Sequence, residues 1–344
     1  MLTTYFDWGL PPRVSARLDI DDLPNLARVK VMSRDRAVIT RPDGDYPAIL
    51  PDRVEPLAVG DWVIARFDND PPVIRRRIDR DSVLRRRDPD GHPKDIAANV
   101  DVAFVCLPAD AERHPRRLER WLAITADAEV EAVVVITKAD PGVDIAPLLT
   151  ALAPVAQTAA VIAVSALHDA GVDAVRASLK GGRTGVLLGA SGAGKSTLLN
   201  RLVGADVQST GDVRERDGRG RHTTTNRTLF RLGGGWLIDG PGVRSIGPLG
   251  EDGVAAAFPE IEAVAATCRF RDCGHDGEPG CAVTAALDDG TLDPERVAAW
   301  DKLAREVAYE NRKSDKRLAA NAKAGWKRIH VEARRRRRFE DEGG

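Results

Sequence analysis

Between Ala27 and about Asp88, polar and apolar residues alternate in short bursts. Arg28-Val-Lys-Val-Met32, Arg36-Ala-Val-Ile-Thr40, Tyr46-Pro-Ala-Ile-Leu50, Gly60-Asp-Trp-Val-Ile-Ala-Arg66 and Val73-Ile-Arg75 read as strands. Turn formers such as Pro42-Asp43-Gly44 and Asp68-Asn-Asp-Pro-Pro72 separate them. Several short strands in so few residues predict a small barrel, with an OB-fold as the expectation and an SH3-like barrel as the alternative.

Beyond residue 95 the pattern changes. Val100–Leu107, apolar except for Asp101, and the apolar runs Ala132–Ile136 and Val161–Val164 read as buried strands, the first two separated by a helical stretch from Arg116 to Ala126. Thr184–Leu188 is another such run, followed by a helical opening at Thr197–Val203. Apolar strands alternating with helices predict a parallel α/β sheet, whose ligands gather at the carboxyl ends of the strands. Gly233 to Asp239 adds one more strand, and Gly218–Thr225 reads as a long mobile loop. After Gly247 the composition shifts, and a mostly helical segment runs from about Pro294 with Trp300, Leu303, Val307, Leu318, Trp326 and Ile329 as apolar anchors. Residues 1–26 carry little pattern and read as an extended or mobile leader.

Hydrophobic residues make up 43% of the 344 positions and charged residues 30%, an ordinary globular composition. No apolar run approaches a membrane span, and the N-terminus lacks the pattern of a secretory signal. The net charge of −1 hides a basic C-terminal stretch with fourteen Lys/Arg against four Asp/Glu from Lys302 to Arg338. Its final arginines, Arg334–Arg338, suit a solvated tail. Arg75, Arg76, Arg77, Arg80, Arg85, Arg86 and Arg87 form a second basic cluster, which suits either RNA phosphates or a solvated edge.

The chemistry begins at the strand ends. Gly189-Ala190-Ser191-Gly192-Ala193-Gly194-Lys195-Ser196, with Thr197 opening the helix, fits the P-loop pattern in its required strand–loop–helix context. Backbone N–H groups there wrap phosphates, Lys195 neutralises their charge, and Ser196 is a magnesium ligand. Thr137-Lys138-Ala-Asp140 follows a buried strand, and a carboxylate at Asp140 can accept both N1–H and the 2-amino group of guanine, donors that adenine lacks. Ser165 and Ala166 suit a neighbouring loop whose N–H contacts the guanine carbonyl. Asp239-Gly-Pro-Gly242 supplies a carboxylate for magnesium and an N–H for the terminal phosphate. One of Thr223, Thr224 and Thr225 completes the magnesium shell. Val243 cannot orient a water, so His222 is the nearest candidate for that role, a loop histidine facing RNA or solvent being the alternative. Cys268-x4-Cys273-x-His275-x5-Cys281 offers four N/S ligands in 14 residues, the set of a structural zinc site. The fourth cysteine, Cys106, sits in a buried strand as a small core residue, and this cysteine usage suits a reducing compartment.

Asp140 and Ser165 precede Lys195, so the GTPase order is circularly permuted. With Gly220-Arg-His-Thr-Thr-Thr, the barrel and the Cys/His spacing, residues 27 to 330 resemble the ribosome small-subunit-dependent GTPases of the RsgA type. The resemblance implies an OB-fold at 27–90, a permuted GTPase at 95–247 and a mostly helical zinc domain at 248–344. It further implies a cytoplasmic monomer that binds the 30S subunit and its 16S rRNA late in maturation, with GTP hydrolysis stimulated by the particle, Mg2+ bound with GTP, and one zinc per chain. The family's guanine motif usually begins with Asn, and Thr137 keeps a hydroxyl but loses the amide. Two other readings stand beside it: a nucleic-acid-binding module with a GTP-sensing, weakly hydrolytic core, and a P-loop ATPase of RNA metabolism, against which Asp140 argues.

Overall fold

The computed structural model describes residues 2–33, 36–87, 93–110, 115–156, 159–204, 227–239, 250–309 and 311–312. The alternating segment forms β1 (Leu26–Met32), β2 (Ala37–Arg41), β3 (Gly44–Ala48), β4 (Trp62–Arg66) and β5 (Val73–Arg77). They lie in the order β3-β2-β1-β4-β5, each neighbouring pair antiparallel. Ile49 bridges Val73 in parallel, donating to Pro72 O (2.9 Å) and accepting from Ile74 N–H (3.0 Å), which closes the sheet on itself. Alternation sends Ala27, Val29, Ile39, Val63, Ala65 and Ile74 inward as a core.

The basic cluster looks different in three dimensions. Arg80 is nearly buried and forks onto Asp61 at 2.7 and 2.8 Å, with Asp95 as a further partner. Arg76 pairs with Asp22, Arg77 with Glu55 and Arg85 with Asp95. These arginines brace the barrel against its flanks, with carboxylates 10 to 54 residues away in sequence. Arg85 lies in a hairpin of β6 (Val83–Arg87) and β7 (Pro93–Ala98), which the run of like charges conceals from sequence reading.

The central sheet has the order β10-β9-β8-β11-β13-β12. It comprises β8 (Val102–Pro108), β9 (Glu131–Thr137), β10 (Ala160–Ala163), β11 (Thr184–Leu188), the antiparallel edge β12 (Leu229–Leu232), and β13 (Gly235–Ile238). The other pairings are parallel. Successive strands leave β8 toward one edge and β11 toward the other, so the sheet's switch point lies between β8 and β11. No helix among the described residues is long and apolar enough to cross a membrane.

The first 26 residues are not a free leader. Helices α1 (Leu2–Trp8) and α2 (Pro12–Ser15) and a 3-10 turn at Ile20–Asn25 pack on the body, with Tyr5, Trp8, Leu10 and Val14 buried. Trp8 stands edge-on to Trp62 of the barrel (5.7 Å) and to Trp236 of β13 (4.9 Å). Between these two rings lies the guanidinium of the fully buried Arg28, 4.9 and 5.0 Å from their centroids. It donates to Thr184 Oγ1 (2.8 Å) and Gly60 O (3.1 Å), and burial pushes its pKa down to about 9. One aromatic–cation knot thus joins leader, barrel and central sheet.

The remaining helices in chain order are α3 (Pro115–Asp127), α4 (Ala146–Leu152), α5 (Val172–Ala177), α6 (Lys195–Val203), α7 (Glu251–Ala257), α8 (Pro259–Ala265) and α9 (Ala282–Asp288), with a last described helix over 294–309. α7 lies directly on α3. A Cβ at Gly253 would sit 2.5 Å from Ala123 O, so only glycine permits this approach. Arg296, reaching the buried Glu119 at 3.0 Å, and Arg120, forking onto Glu306, fasten the same face.

Replacing Trp8 by alanine removes a buried ring that touches two other tryptophans. The expected cost is about 3–5 kcal/mol, read as a lower midpoint in urea unfolding of the whole chain. An unchanged midpoint contradicts the structural role of the leader.

Candidate nucleotide and metal sites

All four strands that carry site residues run parallel, so their carboxyl ends meet at one edge. β11 is fully buried and delivers the chain to Gly189, whose φ of +138° and approach to Cys106 O leave no room for a side chain: a Cβ would lie 2.5 Å from that oxygen. The loop Ala190, Ser191, Gly192, Ala193, Gly194 then turns into α6 at Lys195. The Lys195 ammonium is buried and donates to Gly189 O (2.9 Å) and Ala190 O (2.6 Å). Desolvation lowers its pKa, while Asp239 opposes the shift. Asp239, at the end of β13, is buried and donates its backbone N–H to Thr228 O (3.0 Å). Ser196 and Thr197 follow in the first turn of α6, half-buried.

The base-side loops meet the same edge. Thr137 ends β9, is buried, and donates its hydroxyl to Ala193 O in the P-loop at 2.8 Å. Lys138 adopts φ +57° and reaches Asp110 at 3.2 Å. Asp140 accepts a short hydrogen bond from the Ser165 hydroxyl. A cleft of about 220 Å³ opens between Thr137, Lys138, Asp140, Ala166 and Leu167 on one side and Gly194, Thr197 and Leu198 on the other. Its walls are largely apolar, with one carboxylate, which suits a planar heterocycle carrying paired N–H donors. The groove between Ala126, Val155 and Arg296, about 130 Å³, carries no comparable chemistry.

The structure therefore brings together Thr137, Lys138, Asp140, Ser165, Ala166, Gly189 to Thr197, and Asp239. His222, Thr224 with its neighbours Thr223 and Thr225, Gly242 and Val243 lie outside the described residues. Four contributors escaped the sequence reading: Asp110, Cys106 beneath Gly189, His168 beside Asp140, and Arg201. The last forks onto Asp169 at 2.7 and 2.6 Å and ties the Ser165 loop to α6. The Ser-x-x-His spacing was the available signal for His168 alone.

Cys268, Cys273, His275 and Cys281 converge so that their ligand atoms all lie within 4.8 Å of one another. Cys268 Sγ and Cys281 Sγ stand 3.5 and 3.7 Å from His275 Nδ1. A tetrahedral ion with S and N ligands at ordinary bond lengths separates such atoms by about 3.6 Å, so the residues fit one ion. Backbone N–H groups of Ala282 and Thr284 point at Cys268 Sγ (3.3 Å) and Cys281 Sγ (3.4 Å), stabilising thiolates. Glu278 pins the loop by accepting from Gly274 and Asp276 N–H, both at 2.8 Å.

Comparison with known proteins agrees with this geometry. A family model described as RsgA GTPase matches residues 77–248. A protein of Opitutus terrae named small ribosomal subunit biogenesis GTPase RsgA is 43% identical over 299 residues, covering 82% of this chain and 81% of the relative. The chain belongs to the RsgA GTPase family. A second relative of the same name, from Xanthomonas axonopodis pv. citri, is 46% identical over 271 residues, 78% of this chain and 74% of its own. Two solved structures share the fold. YjeQ from Thermotoga maritima matches with TM-score 0.61 at 23% identity, over 83% of this chain and 98% of that one. YloQ, described as a circularly permuted GTPase, matches with TM-score 0.59 at 21% identity, over 82% and 94%.

Thr137→Val keeps the shape of the side chain and deletes the hydroxyl that holds Ala193 O. Leaving that carbonyl unmatched costs about 1–3 kcal/mol. The expected result is nucleotide affinity reduced by about tenfold with the fold intact, measured by calorimetry and circular dichroism. Wild-type affinity contradicts the proposed tie between base loop and P-loop.

Proposed function

We propose that this chain is a GTPase that binds the small ribosomal subunit, acts in the subunit's biogenesis, and hydrolyses GTP faster when bound to it. The observation that carries the reading is Asp140 facing a heterocycle-sized cleft whose opposite wall is the P-loop. A carboxylate there matches guanine and mismatches adenine. The names of the family's relatives point to the same role.

In this reading Lys195 leaves its carbonyl partners for the β- and γ-phosphates, whose charge far exceeds that of two carbonyl dipoles. The N–H groups from Gly189 to Ser196 wrap the phosphates at the start of α6, and Thr197 borders the base cleft. Ser196 and Asp239, a hydroxyl and a carboxylate, are the donors a hard divalent cation prefers, and they would hold Mg2+. Bound there, the ion neutralises charge that develops between the β- and γ-phosphates. Thr224, or its neighbour Thr223 or Thr225, would complete that shell, Gly242 N–H would contact the γ-phosphate, and His222 would orient the attacking water. Asp140 reads guanine, with Ser165 and Ala166 lining the same pocket beside Thr137 and Lys138.

The flanking parts carry the partner. The closed topology, in which the third and fifth barrel strands meet in parallel, supports an OB-fold over residues 27–90. Residues 95–247 form the permuted GTPase. Residues 248–344 form a zinc domain, with Cys268, Cys273, His275 and Cys281 as a closed structural set for one Zn2+. Because Arg76, Arg77, Arg80 and Arg85 are engaged with carboxylates, phosphate contacts fall to other cations. Arg269, Phe270 and Arg271, exposed between Cys268 and Cys273 with Arg269 5.4 Å from the Phe270 ring, offer charge and a stacking face to 16S rRNA. The protein acts as a cytoplasmic monomer that meets the 30S particle.

Co-sedimentation with purified small subunits tests the reading. More protein should pellet with a non-hydrolysable GTP analogue than with GDP. Absence from the pellet with either nucleotide contradicts the assigned partner.

A further inference from the structure

His168 lies on the loop that follows Ser165, and nothing in the phosphate chemistry uses it. Its ring Nδ1 stands 3.0 Å from Ser165 Oγ and 3.5 Å from Asp140 Oδ1, and its backbone N–H points at the same Ser165 Oγ at 3.3 Å. The loop is closed by reciprocal backbone bonds between Ser165 and Ala170 (3.0 and 3.1 Å) and held to α6 by the Arg201–Asp169 fork. This placement therefore belongs to an anchored turn.

The proton count in this group is determined. A hydroxyl has one hydrogen and two acceptor positions. Ser165 gives its hydrogen to Asp140 Oδ1, since a carboxylate cannot donate. Both acceptor positions then face His168, one toward its N–H and one toward its ring. A bare lone pair on Nδ1 would face an oxygen lone pair and a carboxylate, so Nδ1 carries a hydrogen.

We propose that His168 is a positioning residue for base recognition: its Nδ1–H and backbone N–H saturate Ser165, which in turn fixes the Asp140 carboxylate for guanine. The inference rests on the reading of the cleft as a guanine pocket. A carboxylate is planar and rigid, so holding Oδ1 also sets the direction of Oδ2. Guanine presents two parallel N–H donors, and a carboxylate free to rotate loses the second of them most readily. Hypoxanthine has only the ring N–H. Loss of His168 should thus cost GDP more than IDP, whereas general loosening of the pocket would weaken both alike.

The test is calorimetric binding of GDP and IDP to the full chain as wild type, Asp140→Asn, His168→Ala and His168→Asn. Wild type should prefer GDP, and Asp140→Asn should lose that preference. His168→Ala should weaken GDP by about three- to tenfold and shrink the GDP-to-IDP ratio at least about threefold. His168→Asn, whose amide nitrogen can stand near the position of Nδ1, should restore most of the ratio. A His168→Ala protein with the wild-type ratio overturns the proposal while leaving the guanine reading intact. A wild type without GDP preference, unchanged by Asp140→Asn, overturns both.

Discussion

A nucleotide is long relative to the loops that hold it, so base and phosphate contacts must be fixed against each other. Here the constraint is met by the Thr137 hydroxyl on Ala193 O, a bond 2.8 Å long between residues 56 positions apart. Gly189 seated over Cys106 O fixes the other side of the P-loop. Both contacts exist because β9 and β11 flank β8 in parallel and in fixed register: Pro108 is paired with Thr137, and Leu188, the last residue of β11, with Val105. The sheet register therefore sets the distance between the two halves of the site. The apolar cores of these strands, buried on both faces, hold that register.

The permuted order determines how other parts attach. β13 carries Asp239 at one end and Trp236 near the other. Trp236 belongs to the knot with Trp8, Trp62 and Arg28, so leader and barrel grip the strand that presents the Asp239 carboxylate. Arg28 also bonds Thr184 at the start of the strand that leads into the P-loop. On the other side, the C-terminal helices clasp α3 through Gly253 and Arg296. Both flanks are thus packed against the body that carries the site.

What sequence reading could recover followed from locality. The P-loop, the Thr-Lys-x-Asp segment and the Cys/His spacing are short, and their chemistry depends on residues within one loop. The barrel strands were legible from alternation, and the buried strands from their apolar runs. The rest depended on distant partners. Trp8 reads as part of a weak leader because the rings that bury it are 54 and 228 residues away. The arginines after Val73 read as a basic surface because their carboxylates, Asp22, Glu55, Asp61 and Asp95, are scattered. His168 is a related case: its spacing from Ser165 was a faint signal whose meaning appears only when the loop closes. β12 is short, with an arginine among its four residues.

In the proposed function the small subunit completes the chemistry of the GTP site. Single-turnover hydrolysis of GTP by the whole chain, with and without saturating purified 30S subunits, addresses it most directly. Slow hydrolysis by the free protein and a rate at least about tenfold higher with subunits, a barrier change of about 1.4 kcal/mol, is the predicted result. An identical rate with and without subunits would contradict it.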